Sequence, residues 1–177
     1  MVYIYSTTRP FVEELLLQGL IDKAVKNLPS TYEALEKIVA PFYNDGAILI
    51  VDDGLSQSES YLPRVFEEFT SKKNTSIIFV SQSIFLDSKS FRRMSQNSHY
   101  IICLQSRRNP ARIRSLALQV KPCNPKFILN CYIDATELKA LSTPYPNNYG
   151  YGYFIFEFNL QSSEVLAYRW AIFFLTN

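Results

Sequence analysis

Ala47-Ile48-Leu49-Ile50-Val51-Asp52-Asp53-Gly54 is the stretch on which the fold turns. Five consecutive apolar residues leave no polar side for water, so a strand built from them is expected to be covered on both faces, as strands of parallel α/β sheets are. The run then closes abruptly in two acids and a glycine. Ligands of open parallel sheets gather beyond the carboxyl ends of the strands. Asp52 and Asp53 are therefore the first candidates for chemistry.

Outward from this strand the same pattern recurs. Val2–Tyr5 is a short β-branched and aromatic run, and Thr8 and Pro10 lead into a helix over Phe11–Leu17. Ser30 and Glu33 stand at capping-box spacing before a helix over Tyr32–Val39 that Pro41 stops. Leu62, Val65, Phe66 and Phe69 recur at helical spacing, and residues 76–80 form a second apolar strand ending in Ser81-Gln82-Ser83. A third, Tyr100–Leu104, ends in Gln105-Ser106-Arg107-Arg108. Asn109-Pro110 suits the cap and first turn of a helix carrying Ile113, Leu116, Ala117 and Val120. Residues 125–140 allow one more helix, 144–153 read as a loop, 153–158 as a strand and 165–175 as a last β segment. This alternation predicts an α/β fold, a mainly parallel sheet flanked by helices with right-handed crossovers. The 177 residues suit a single domain, 1–177, and contain no internal repeat.

Charge is unevenly placed. No Asp or Glu lies between Asp87 and Asp134, a window that holds nine of the 18 basic residues, whereas the rest of the chain carries nine basic against 16 acidic residues, a net of −7. One segment is built to meet negative charge. Three cysteines and one histidine fit neither a disulfide framework nor zinc-ligand spacing, which points to a reducing compartment. No apolar stretch is long enough to span a bilayer, so a soluble, intracellular protein with no membrane partner is expected.

A hydrophobic strand closing in two acids is the Walker B arrangement. The first carboxylate, here Asp52, holds the hydrated magnesium of a nucleotide, and the next, Asp53, orients or deprotonates the attacking water. The plain alternative is a strand-ending turn, because Asp and Gly favour turns for local reasons. Phosphoacceptor receiver domains also carry acid pairs, but after their first strand, which is not the place of this one. Gln82 could sense a γ-phosphate or position the water, or simply cap a turn. Arg92 or Arg93 could reach phosphates bound to an adjacent subunit, since a guanidinium supplied in trans stabilises phosphoryl transfer; the plain reading is a solvated face. His99 reads as a structural hydrogen-bonder. A phosphate-binding loop needs glycines followed by Lys and Ser or Thr at a helix start, and none of Gly19, Gly46, Gly54, Gly150 and Gly152 is followed by lysine. No Walker A sequence occurs in the chain.

Taken together, these motifs resemble the packaging ATPases of large DNA viruses of the poxvirus type and of Maverick/Polinton virus-like transposons, a branch allied to the FtsK and HerA translocases. The family's apolar strand ending in Asp-Asp is matched by Ile48 to Asp53, and its Thr-Gln-Asn sensor by Ser81-Gln82-Ser83, where only the glutamine is kept. An Arg and then Asn-Ser-His-Tyr follow in the family, matched by Arg92 and Asn97-Ser98-His99-Tyr100. The family's Pro-Arg-Asp and Arg-Gln-Met-x-Pro are matched by Arg107-Arg108-Asn109 and Leu118-Gln119-Val120-Lys121-Pro122, keeping Arg108 and Gln119. Its terminal Gly-Tyr strand is similar to Tyr149 to Phe158.

The resemblance, closest over residues 47–158, implies a partial RecA-like P-loop NTPase core without the Walker A strand, loop and helix. It implies ATP and Mg2+ as cofactors, with Asp52 holding the metal through water and Asp53, Gln82 and Arg92 as catalytic groups. Arg93, Arg107, Arg108, Arg112 and Arg114 would meet double-stranded DNA or a neighbouring subunit. Complete members assemble as homo-oligomeric rings and couple ATP hydrolysis to pulling DNA. This chain, with a Walker B strand and no phosphate loop, is expected to be incomplete or inactive alone. The alternative is a non-catalytic domain that binds nucleic acid or joins a ring of full-length ATPase subunits.

Overall fold

Short runs of β-branched and aromatic residues separated by amphipathic helices give the chain order β1 (Val2–Tyr5), α1 (Phe11–Leu17), β2 (Lys23–Lys26), α2 (Tyr32–Val39), β3 (Ala47–Asp52), α3 (Leu62–Lys72) and β4 (Thr75–Ser81). There follow α4 (Lys89–Gln96), β5 (Tyr100–Leu104), α5 (Pro110–Val120), α6 (Pro125–Thr136), β6 (Tyr153–Glu157) and β7 (Ala171–Leu175). The computed structural model describes residues 1–6, 10–52, 61–81, 89–104, 110–136, 153–157 and 171–175. All seven strands join one sheet in the order β2-β1-β3-β4-β7-β5-β6. Every pairing is parallel except that of β6 with β5.

The order of travel decides which face each helix covers. The chain steps from β1 outward to β2 and then reverses, moving by way of β3 and β4 to β5. Crossovers of one hand place helices on opposite faces when the direction of travel reverses. Accordingly α1 is the one described helix on its face, where Val12 and Ile21 bury Tyr3, with Ile50 and Ala24 beside them. Helices α2 to α6 share the other face, where Leu35, Phe69, Met94, Ile113 and Tyr132 close over Ile4, Leu49, Phe79 and Ile101 in one cluster. The expected α/β sheet with flanking helices is present, but β3 is sealed on one face only. Leu49 is fully buried, while its neighbour Ile48 is 41% exposed.

Local chemistry explains the element ends. The side chain of Thr31 accepts a hydrogen bond from the Ala34 backbone N–H at 3.2 Å, so Thr31, one residue beyond the expected Ser30, caps α2. Pro63 sits in the first turn of α3, where a missing N–H costs nothing. Gly46 turns into β3 with a φ of +82°, a backbone conformation that side chains resist.

Two elements were not anticipated. β2 reads Lys-Ala-Val-Lys and α4 reads Lys-Ser-Phe-Arg-Arg-Met-Ser-Gln, both too polar to show as a buried strand or an apolar stripe. Val120 departs from its expected place on the buried side of α5 and is exposed. Residues 137–152, 158 and 165–170, which carry parts of the expected last helix, loop and strands, lie outside the described residues.

Candidate functional site at the carboxyl end of β3

β1 and β3 pair with Tyr3 opposite Ile50 and Tyr5 opposite Asp52. Alternation along both strands therefore brings Tyr3, Ile50, Tyr5 and Asp52 to the α1 side of the sheet. There the Tyr3 hydroxyl donates to Asp52 Oδ2 at 2.8 Å. The Tyr3 ring is in turn held edge-on by Phe11 of α1, with centroids 6.3 Å apart, and lies beside Tyr5. Asp52 is 7% exposed. A carboxylate so enclosed needs hydrogen bonds to stay charged, and Tyr3 supplies one.

The position of this pair matters as much as its contacts. The helix that follows β1 lies on one face, and the helix that follows β3, its neighbour in the sheet, lies on the other. The direction of travel through the sheet thus reverses between β1 and β3, and it is beyond the carboxyl ends of strands at such a switch that open α/β sheets take ligands. Asp52 is at that point. β4 is the next strand, in register with Asp52 opposite Val80, so its end at Ser81 lies alongside.

Asp53 and Gln82 follow directly on β3 and β4 but lie outside the described residues, as do Arg107 and Arg108. The structure thus places the strands that carry the acid pair and the glutamine side by side. β5, which leads to the arginine pair, is separated from β4 by β7. Magnesium suits this chemistry, because it keeps several waters and needs only one or two carboxylates in addition to phosphate oxygens. A carboxylate has about four lone-pair sites, so the Tyr3 hydroxyl and a metal-bound water can share Asp52. Nothing in the 177 residues matches a phosphate cradle.

The arginines separate by environment. Arg93 makes two hydrogen bonds of 2.7 Å to the Glu67 carboxylate of α3, which also accepts from Asn97 at 3.0 Å. Its guanidinium ties α4 to α3. Arg92 and Arg114 are exposed, and among the described residues no ion pair engages them. Arg112 lies in the first turn of α5. Lys121 rests over the Phe127 ring at 5.2 Å, and Lys126 is exposed on α6. His99 is not the hydrogen-bonder expected of it at Nδ1, which is buried without a partner among the described residues.

Tyr3 is the site residue that sequence reasoning missed. The one available signal was the alternation of Val2 and Ile4 with Tyr3 and Tyr5, which puts two hydroxyls on one side of a strand. That the hydroxyls face an acid depends on β1 lying next to β3, which no local pattern reveals. Set beside known proteins, the chain matches no family model, no curated protein and no solved structure.

Proposed function

We propose that the chain is a packaging-ATPase-like domain carrying the magnesium-binding and water-activating half of a nucleotide site, and that a phosphate-cradling loop from outside these 177 residues is needed for turnover. One observation carries this reading: Asp52, itself buried, ends a parallel strand at the point where the direction of travel through the sheet reverses, beside the strand that leads to Gln82. In this reading Asp52 holds the hydrated magnesium, Asp53 prepares the water, Gln82 positions it, and Arg92 is offered to a neighbouring subunit's nucleotide. The order of motifs from Asp52 to Gln119 supports the assignment to this class. The acid-free window supports a duplex-DNA partner, with Arg107, Arg108, Arg112 and Arg114 as the phosphate contacts and binding that weakens steeply with salt.

A second reading, a non-catalytic domain derived from such an ATPase, is favoured by the Tyr3 hydrogen bond to Asp52, which gives the acid a structural duty, together with the absence of any Gly-Lys pair. The deciding measurement is ATP turnover by the purified chain with magnesium, with and without double-stranded DNA, alongside Asp53→Asn. Turnover that Asp53→Asn abolishes would show the site to be completed within the chain, against the incomplete-site proposal. No turnover alone, but turnover restored by a loop-bearing subunit and lost again in Asp53→Asn, is the expected result. No turnover and no magnesium-ATP binding under either condition leaves the non-catalytic reading.

A further inference from the structure

α5 and α6 form a helical hairpin whose body is buried and whose tip is not. Ile113 and Leu116 of α5 and Tyr132 of α6 belong to the core cluster, with Ile128 and Leu129 packed against it. The Tyr132 hydroxyl donates to the Leu104 carbonyl at 2.9 Å and fixes the later part of α6 to the end of β5. At the tip, by contrast, residues 118–124 are all exposed, as are Lys126 and Phe127. The tip is nonetheless well fixed by its own backbone. The Lys121 N–H continues α5 by donating to the Ala117 carbonyl at 2.9 Å, and the Asn124 N–H closes a turn onto the Lys121 carbonyl at 3.1 Å. The Asn124 side chain then accepts from the Phe127 N–H at 3.2 Å and caps α6.

This turn holds a cation beside an aromatic ring in water. Phe127 is 52% exposed, and Lys121 Nζ stands 5.2 Å from its ring centroid. Lys126 is exposed next to it, and no Asp or Glu occurs from residue 110 to residue 133. We propose that the α5–α6 tip binds single-stranded nucleic acid, with Phe127 as the stacking platform for one base and Lys121 and Lys126 meeting the flanking phosphates. A strand offers π-faces and anionic groups in close alternation, and an aromatic ring between two ammonium groups is their complement. Duplex bases keep their faces stacked on one another, so Phe127 meets a duplex base only as a wedge, at the cost of unstacking. An anionic bilayer is the poorer partner, because binding to it needs a continuous apolar face, and Gln119, Lys121 and Asn124 interrupt Leu118, Val120 and Phe127. The contact is separate from the duplex contacts assigned to Arg107, Arg108, Arg112 and Arg114.

The test is fluorescence anisotropy of the full chain with a labelled oligothymidylate, measured beside a duplex of the same length and vesicles containing phosphatidylserine. Single-strand binding that Phe127→Ala weakens about 5- to 150-fold, the equivalent of one stacked base, is expected. Phe127→Tyr keeps a stacking face and should bind as the native chain does. Lys121→Ala and Lys126→Ala should each make the salt slope smaller by about 0.7, whereas Phe127→Ala leaves the slope and the duplex affinity unchanged. Cys123, exposed in the turn, should react more slowly with a thiol reagent once the strand is bound. All three positions are exposed, and an unchanged circular dichroism spectrum shows each variant to be folded. Single-strand affinity that is absent in the native chain or undiminished in folded Phe127→Ala overturns the proposal, as does an equal loss for strand and duplex. Phe127-dependent binding to the vesicles without binding to the strand overturns it too.

Discussion

The two faces of the sheet are made from the same kind of sequence and end in different states. On the α2–α6 side, Phe69 meets the rings of Tyr32 and Tyr43 edge-on, at 5.7 and 6.0 Å, and is completely buried. On the α1 side a single short helix covers the β1 end, and that helix leaves Leu17 89% exposed. Farther along, Ile50, Ile78, Val80, Ile102 and Leu104 are only half-buried. Composition does not make this difference, since β3 is equally apolar on both sides. Direction of travel does: the chain reverses near β1, and from β2 to β5 the described crossover helices lie on one face. Stability is therefore concentrated on one side, and the candidate site lies at the rim of the other.

Adjacent residues of β3 give the sharpest way to break this contrast. Leu49→Ala opens a cavity in the sealed cluster and should cost about 2–5 kcal/mol, read as a shift in the urea midpoint at constant m-value. Ile48→Ala, one residue away on the thinly covered face, should cost less than about 1 kcal/mol, as substitutions at solvent-facing positions do. Equal losses would mean that the α1 side is sealed as well. Tyr3→Phe comes next. It keeps the ring against Phe11 but removes the donor to buried Asp52, and hydrogen bonds to charged groups contribute about 1.5–3 kcal/mol. A loss within a few tenths of a kcal/mol of zero would show that Asp52 does not depend on Tyr3.

Much of this arrangement was legible in sequence, and what was not has a physical cause. Long apolar runs such as 47–51 and 100–104 have one stable use in a small domain, so the core strands and the helices between them announced themselves. β2 stayed hidden because an edge strand is designed to look unlike a buried one, and Lys23 and Lys26 do that here. α4 stayed hidden because only Met94 of its described side chains is buried, too little for a stripe. The covered and bare faces of β3 could not be told apart, since coverage follows from strand order, and strand order depended on the missed β2. Asp52 was found from its place at a strand end; its hydrogen bond to Tyr3 joins residues 49 positions apart and needed the β1–β3 register.

The sealed face should also declare itself at high pH. Burial, and secondarily the Glu36 carboxylate, pushes the Tyr43 hydroxyl up from 10.0 to about 12. The phenol is neutral when protonated, so above pH 10 the folded state holds a proton that the unfolded chain has released. Stability from this group is complete below about pH 10 and is lost as pH rises toward 12. Absorbance of tyrosinate should show an ordinary group of tyrosines followed by a late phase to which both Tyr43 and Tyr32 contribute, Tyr32 being raised further still by burial and its hydrogen bond to Glu68, and Tyr43→Phe should remove the earlier part of that phase. Burial likewise pushes the Cys103 thiol up to about 12, so Cys103 should resist a thiol reagent that modifies exposed Cys123, until the chain unfolds.

The smallest effect separates two arginines of the basic segment. Arg93 is committed to Glu67, yet the pair is solvent-exposed, with 61% of the Arg93 side chain accessible. Exposed ion pairs contribute about 0.2–1 kcal/mol, so Arg93→Ala should lower stability by no more than that and leave affinity for duplex DNA nearly unchanged. Arg114→Ala should do the reverse: it breaks no ion pair within the described residues, and the DNA phosphate it is proposed to neutralise would disappear from the salt dependence as a slope smaller by about 0.9. Binding measured at several salt concentrations for both variants distinguishes a basic segment whose arginines act alike from one in which Arg93 holds the fold and Arg114 faces outward. If Arg93→Ala shifts the salt slope and Arg114→Ala does not, the internal pair is exchanged for phosphate on binding, and α4 must be read as moving off α3 when DNA arrives.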